Sequence, residues 1–182
     1  NYGGINNISF IPNEKNSLDT IYVNLLHDET DQTSIPGNNI TTFIEDKAGN
    51  VWFGTANAGL SMNSNFSSKF SSVKYDSEND WGLLRSKIYA IESAKDNFLW
   101  VATDHGLEYL SVEGIRYDHF PKSELGTSQI TDIHFQDNNS LWVGSTNGLL
   151  NIDIEKRTID RYSAKTKNKK RKISDNVVFD IY

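Results

Sequence analysis

The chain has 182 residues, 37% of them hydrophobic, no cysteine and a formal net charge of −6. That length can bury a sizeable core, while the missing thiols exclude a disulfide framework, thiol catalysis and thiolate metal sites. No apolar run is long enough to cross a membrane as a helix, and the acidic balance disfavours nucleic acid as a partner.

In chain order, residues 5–26 read as two β-strands and residues 27–38 as a polar connection. From Ile40 a pattern begins that recurs three times. An apolar residue leads and a tryptophan follows twelve positions later: Ile40 to Trp52, Ile88 to Trp100, Ile130 to Trp142. A turn glycine and a leucine come next, at Gly59-Leu60, Gly106-Leu107 and Gly148-Leu149. The tryptophans lie 48 and then 42 residues apart. Short strands repeating at that period predict a β-propeller blade.

Each unit reads as four strands. Ile40-Thr41-Thr42-Phe43-Ile44 alternates as a half-buried strand does. Asp46-Lys47-Ala48-Gly49-Asn50 suits a type I turn with a left-handed residue after it. Val51 to Thr55 forms the second strand, and strands such as Leu149 to Ile154 and Ile159 to Tyr162 complete the unit. Gly54, Ala102 and Gly144 share one slot, where a small residue would let neighbouring backbone approach. Complete blades are expected over about 39–75, 87–120 and 129–163, within units 39–86, 87–128 and 129–175. Residues 1–38 would supply the outer strands of a preceding blade and its linker, with Asn1-Tyr2-Gly3-Gly4-Ile5 as a turn after a tryptophan strand. Residues 176–182 would begin the next blade, because Val178-Phe179-Asp180-Ile181-Tyr182 matches Ile130 to His134. The chain is thus read as a segment of a larger, all-β propeller, so an absent targeting signal says little about the parent.

The connections vary most: 27–38, 76–86, 121–128 and 163–175. On a repeated scaffold such loops carry binding. Trp52, Trp100 and Trp142 recur in one strand slot and are expected between stacked blades. Trp81 lies in a variable loop; it would either fold over a blade edge or offer a stacking surface. Asp104, His105 and Asn147 lie in turns on the same expected face as the linkers, and are candidates for ligand contact. Charge points to a further candidate. Residues 156–182 hold 9 basic and 3 acidic groups, and most of the excess lies between Lys165 and Lys172. Lys169 and Arg171 could therefore bind an anionic saccharide, unless the run is merely a solvated loop. His134 reads as a satisfied strand histidine and His119 as a surface one beside Asp118. No metal-ligand spacing, nucleophile elbow or phosphate loop appears. Asp46, Asp96 and Asp137 recur near one turn, but in separate blades they cannot converge on one calcium ion. No cofactor is expected.

Phe43-Ile44-Glu45-Asp46-Lys47-Ala48-Gly49-Asn50-Val51-Trp52-Phe53-Gly54-Thr55 resembles the two-component regulator propeller repeat, whose motif runs aliphatic pair, Glu-Asp, two variable residues, Gly-Asn, aliphatic, Trp, aliphatic, Gly-Thr. The second copy keeps Leu99-Trp100-Val101-Ala102-Thr103 but has Ser93-Ala94 in place of Glu-Asp. The third keeps Leu141-Trp142-Val143-Gly144-Ser145 after Gln136-Asp137, and Ile173-Ser174-Asp175-Asn176 resembles the family's linker. The resemblance implies tandem seven-bladed propellers in the periplasmic sensor region of an inner-membrane signalling protein, with a histidine kinase or diguanylate cyclase as output. It further implies a homodimeric parent, attached to the membrane only through its own transmembrane segment, that binds polysaccharide breakdown products or other small ligands. The remaining blades of the parent would be structural partners. Two rivals stand beside this: a protein-interaction scaffold with Trp81 as anchor, and a lyase of the streptogramin type needing a catalytic His and Glu.

Overall fold

In the computed structural model the described residues are all except 1–2, 13–17, 65–68, 77, 96, 128 and 138. Asn1, Tyr2 and Asp96 thus lie outside the described residues. A two-stranded antiparallel sheet, β1 (Ile5–Pro12) and β2 (Leu18–Leu25), opens the chain. Three four-stranded antiparallel sheets follow. Blade 1 comprises β3 (Ile40–Glu45), β4 (Asn50–Thr55), β5 (Leu60–Ser64) and β6 (Ser71–Val73). Blade 2 comprises β7 (Ile88–Ser93), β8 (Phe98–Thr103), β9 (Gly106–Ser111) and β10 (Arg116–Pro121). Blade 3 comprises β11 (Ile130–Asp137), β12 (Ser140–Ser145), β13 (Gly148–Asp153) and β14 (Thr158–Tyr162). A short helix, α1 (Lys122–Leu125), links blades 2 and 3, and a 3-10 turn (Lys169–Arg171) follows β14. Strands with sheets on both sides bury both faces, and this is the propeller arrangement the repeat predicts.

The period of two along each second strand assigns its residues to two seams. Leu99 and Val101 join Trp52, Leu60 and Ile88 between blades 1 and 2. Trp100 and Ala102 join Leu141, Val143 and Ile133 between blades 2 and 3. Each tryptophan therefore packs towards the following blade. Trp52 and Trp100 are both 1% exposed. Trp142 is only half-buried, which corrects its expected place in the packed core: no sheet lies on its outer side among the described residues.

The slot of Gly54 also needs correction. The group that approaches is mainly a side chain, not backbone: a Cβ at Gly54 would lie 2.5 Å from Ile88 Cγ2 and 2.8 Å from Thr42 Cγ2. Gly144 is looser, with Thr131 Oγ1 at 3.0 Å and Val178 Cγ1 at 3.1 Å. The small residue lets the first strand of the next blade seat against the second strand of its neighbour.

Residues 176–182 form no strand, contrary to expectation. They nonetheless occupy the place of one. The bulged Thr41 donates to the Ile88 carbonyl at 2.8 Å, and the equivalent Thr131 donates to the Val178 carbonyl. Val178 N–H reaches back to Ser145 O at 3.1 Å. Among the described residues the segment contacts blade 3 but pairs with no strand in a ladder.

The opposite end of the array is open too. Phe43 pairs with Phe53 as Ile91 pairs with Val101 and Ile133 with Val143. Ile91 and Ile133 are 4% and 3% exposed, whereas Phe43 is 69% exposed. Phe43, Val51, Phe53 and Phe70 line an open cavity of about 600 Å³ with Ile5 and Leu25 of the first sheet.

Candidate functional site: the loop face

The turns between second and third strands are built alike. The last residue of each second strand buries a hydroxyl that donates to the glycine carbonyl closing the turn: Thr55 to Gly59 O (2.8 Å), Thr103 to Gly106 O (3.4 Å), Ser145 to Gly148 O (2.8 Å). The same hydroxyls accept from the turn N–H groups of Ala58, His105 and Asn147. Gly106 and Gly148 have φ of 141° and 131°, and a Cβ there would strike the outer-strand carbonyls of Phe120 at 2.1 Å and Tyr162 at 2.3 Å. Only glycine fits both demands. The rigid turn leaves Asp104 and Asn147 exposed at its tip and His105 half-buried, its carbonyl accepting from Lys122 N–H at 2.8 Å.

The structure brings Asn147 and Lys165 together. With Thr146, Ser163 and Asn176 they line an open polar cleft of about 380 Å³. Asn176 is fixed there, accepting from Ala164 N–H at 2.9 Å, as Asn38 accepts from His27 N–H at 2.7 Å two residues before the first strand of blade 1. This repeated cap gives the linker resemblance a physical role. The basic run is ordered: Asn168 Oδ1 accepts from Lys170 N–H at 3.1 Å and opens the 3-10 turn. Lys165, Lys167, Lys169 and Lys170 stay exposed. Arg171 differs, since its guanidinium pairs with Asp160 on β14 and its carbonyl accepts from Ser163 N–H. It braces the loop that carries the lysines.

Trp81 is not part of this face. Residues 78–86 of the linker run down the blade edge, and Trp81 Nε1 donates to Glu113 O at 3.2 Å in the β9–β10 turn. Strand β9 separates that turn from Asp104 and His105 by about 20 Å. Arg116 holds the linker by donating to Gly82 O (2.8 Å) and Asn79 O (2.6 Å). Trp81 is half-exposed and folded over an edge, the first of its two expected placements.

The same linker covers a group that sequence reasoning missed. Glu108 on β9 is 1% exposed, in the slot that Ser61 and Leu150 hold in the other blades. Its carboxyl accepts from Leu84 N–H at 2.8 Å and meets Thr103 Oγ1 at 3.1 Å. Burial pushes its pKa up to about 7, against the opposing pull of these hydrogen bonds and of Arg116 and Arg85. On the innermost strands, His134 Nδ1 lies 3.5 Å from Glu92 Oε1, across blades 2 and 3. Burial raises the Glu92 carboxyl despite the bond from Phe135 N–H. No cluster of three metal-ligating groups occurs among the described residues.

The Glu-Asp of the repeat acquires a role as well. Trp52 Nε1 donates to Asp46 at 2.9 Å, and Trp142 Nε1 to Gln136 at 2.7 Å. Burial pushes the Asp46 carboxyl up, but the bonds from Trp52 and Asn50 outweigh it and hold it below the usual range. Ala94 stands at this position in blade 2, and the buried Trp100 Nε1 has no acceptor among the described residues.

Residues 34–57 match the two-component regulator propeller family. No curated protein matches the chain in sequence. Among solved structures, the extracellular domain of a hybrid two-component system of B. thetaiotaomicron superposes with a TM-score of 0.68 at 18% identity, over 88% of this chain and 25% of that one. The extracellular domain of a one-component system of the same organism gives 0.64 at 17%, over 93% and 21%. Virginiamycin B lyase from Staphylococcus aureus, with quinupristin, gives 0.57 at 15%, over 88% and 50%. The chain thus spans about a quarter of the length of the two extracellular domains. The similarity to the two-component regulator propeller family is local to residues 34–57, and the β-propeller fold is shared with these extracellular domains.

Proposed function

We propose that this chain is part of the extracytoplasmic ligand-sensing propeller of a two-component-type signalling protein, and that it binds rather than turns over its ligand. One observation carries the reading: each second-to-third-strand turn is closed by a buried hydroxyl and a glycine, with one extra residue in blade 1, while the linkers beside them differ in length and charge. A fixed frame with divergent loops on one face is the build of a binding surface. The cleft of Asn147, Lys165 and Asn176, under the exposed lysines, suits a saccharide bearing carboxylate or sulfate groups. The uncovered Phe43 face would receive the inner strands of a further blade, and the surface beyond Val178 another. The likeness to extracellular domains supports an extracytoplasmic placement; the parent of this proposal is a dimeric protein of the inner membrane with this region in the periplasm. Ligand binding would favour one arrangement of that dimer and so bias the output across the membrane. The test is to replace 163–175 by a neutral linker of equal length in the parent. Ligand-dependent output should be lost; full retention would remove the loop face from sensing.

A further inference from the structure

Blade 2 departs from its neighbours in one coherent patch. The cross-strand row at the tryptophan reads Trp52-Met62-Ser71 in blade 1 and Trp142-Asn151-Asp160 in blade 3. In blade 2 it reads Trp100-Tyr109-Asp118. Two positions before the tryptophan, Asn50 and Ser140 are replaced by Phe98. The rings meet: Phe98 stacks on Tyr109 with centroids 4.8 Å apart and planes at 14°, Trp100 lies 4.7 Å from Tyr109, and Tyr117 stands edge-on to Phe98 at 5.0 Å. Tyr117 falls in the bulge between Arg116 and Asp118, where the ladder leaves it unpaired, and it is 61% exposed. Phe135 and Ile154 of blade 3 face this wall across an open cleft of about 300 Å³.

A continuous stack of aromatic rings left open to solvent is more than the seam requires. The adjoining part of the same seam closes with aliphatic side chains. The polar groups at the rim are matched. Arg157, from the β13–β14 turn, donates to both oxygens of Asp118 at 2.9 and 2.8 Å and to His119 O at 3.1 Å. Its guanidinium also lies over the Phe120 ring, 4.2 Å from the centroid. The carboxylate is therefore neutralised and positioned, yet keeps lone pairs for hydroxyl donors. Together these groups provide one exposed ring face at Tyr117, a flank of apolar ring edges beside it, and a carboxylate whose acceptors are fixed by Arg157.

From this we infer that the cleft between blades 2 and 3 binds a neutral pyranose residue of a saccharide chain. The apolar C–H face of the sugar lies on the exposed ring of Tyr117, beside the edge of Tyr109, whose faces are taken by Phe98 and Trp100, and its hydroxyls donate to Asp118. Arg157 is engaged by Asp118 and, at 3.5 Å, by Glu124, so it offers no unpaired charge to an anionic sugar. The volume holds a single ring, so the rest of the chain leaves past the exposed Tyr117. This site lies at the end of the blade opposite the lysine-rich face. It rests on the reading of the chain as a saccharide-binding propeller.

The test is calorimetric titration of the intact protein with cellohexaose, xylohexaose, mannohexaose and maltohexaose. At least one should bind, without dependence on salt. Tyr117→Ala should weaken that binding at least tenfold and Tyr117→Phe should largely restore it. Asn147→Ala with Lys165→Ala should leave it unchanged. Binding that survives Tyr117→Ala and vanishes in the loop-face variant overturns the cleft while sparing the ligand-binding reading. Failure of all four probes overturns the cleft assignment and, if charged saccharides also fail, the saccharide reading with it.

Discussion

Replacing Glu108 by Gln isolates the cost of burying one carboxyl between blades. The folded value is near 7 against an ordinary 4.5, a difference of about 2.5 pH units. At about 1.36 kcal/mol per unit this comes to about 3 kcal/mol. The sign follows from proton counting. Below pH 4.5 the group is protonated in both states and costs nothing. Between 4.5 and 7 the unfolded chain ionises while the folded one holds its proton, so stability falls as pH rises. Above 7 the full cost is present. Gln keeps the shape, accepts from Leu84 N–H and donates to Thr103 Oγ1, but cannot ionise. Urea unfolding of both proteins should therefore give equal stability near pH 4.5 and an advantage for the variant of about 3 kcal/mol at pH 8. Glu92 and Asp132, also raised by burial, contribute to both profiles and cancel in the difference. Parallel profiles across that range would refute the argument.

Trp100→Phe should cost about 1 kcal/mol less than Trp52→Phe, read by denaturant midpoint, because Trp100 Nε1 has no acceptor among the described residues whereas Trp52 Nε1 donates to Asp46. Gly54→Ala should cost about 1–3 kcal/mol by overpacking against Ile88, and Gly144→Ala clearly less, since its nearest atoms stand farther off. Trp52→Ala should cost about 3–5 kcal/mol, and Trp142→Ala less, because only the first ring is fully buried in this array. Phe43→Lys should leave the stability of the isolated chain almost unchanged and reduce its self-association in sedimentation; in a parent whose next blade covers that face, the same change should destabilise strongly.

The blade order was legible because stacking sheets repeat the same demands at the same slots. A large ring at Trp52 and Trp100 and a small residue at Gly54 answer contacts one blade away, while the glycines at Gly106 and Gly148 answer the outer strand of their own blade. What the repeat does not impose stayed hidden. Glu108 shares its strand face with the buried Leu110, and its partner Leu84 N–H comes from a linker 24 residues away that the repeat does not place. Trp81 looked like part of the linker face until Arg116, more than thirty residues on, drew the linker down the blade. Phe98, Tyr109 and Tyr117 are scattered along the chain, and strand register with one bulge makes them neighbours. Arg171 and Lys169 sit in one basic run, yet Asp160 engages only the first.

The central claim is that this propeller binds a saccharide on its loop face. The most direct measurement is a thermal-shift titration of the intact extracellular region with uronic and sulfated oligosaccharides, repeated at high salt and with Lys165→Ala and Lys169→Ala combined. The account predicts a specific stabilisation that salt weakens and that the double variant loses. A shift that ignores both salt and those lysines, or no shift with any charged saccharide, would contradict it.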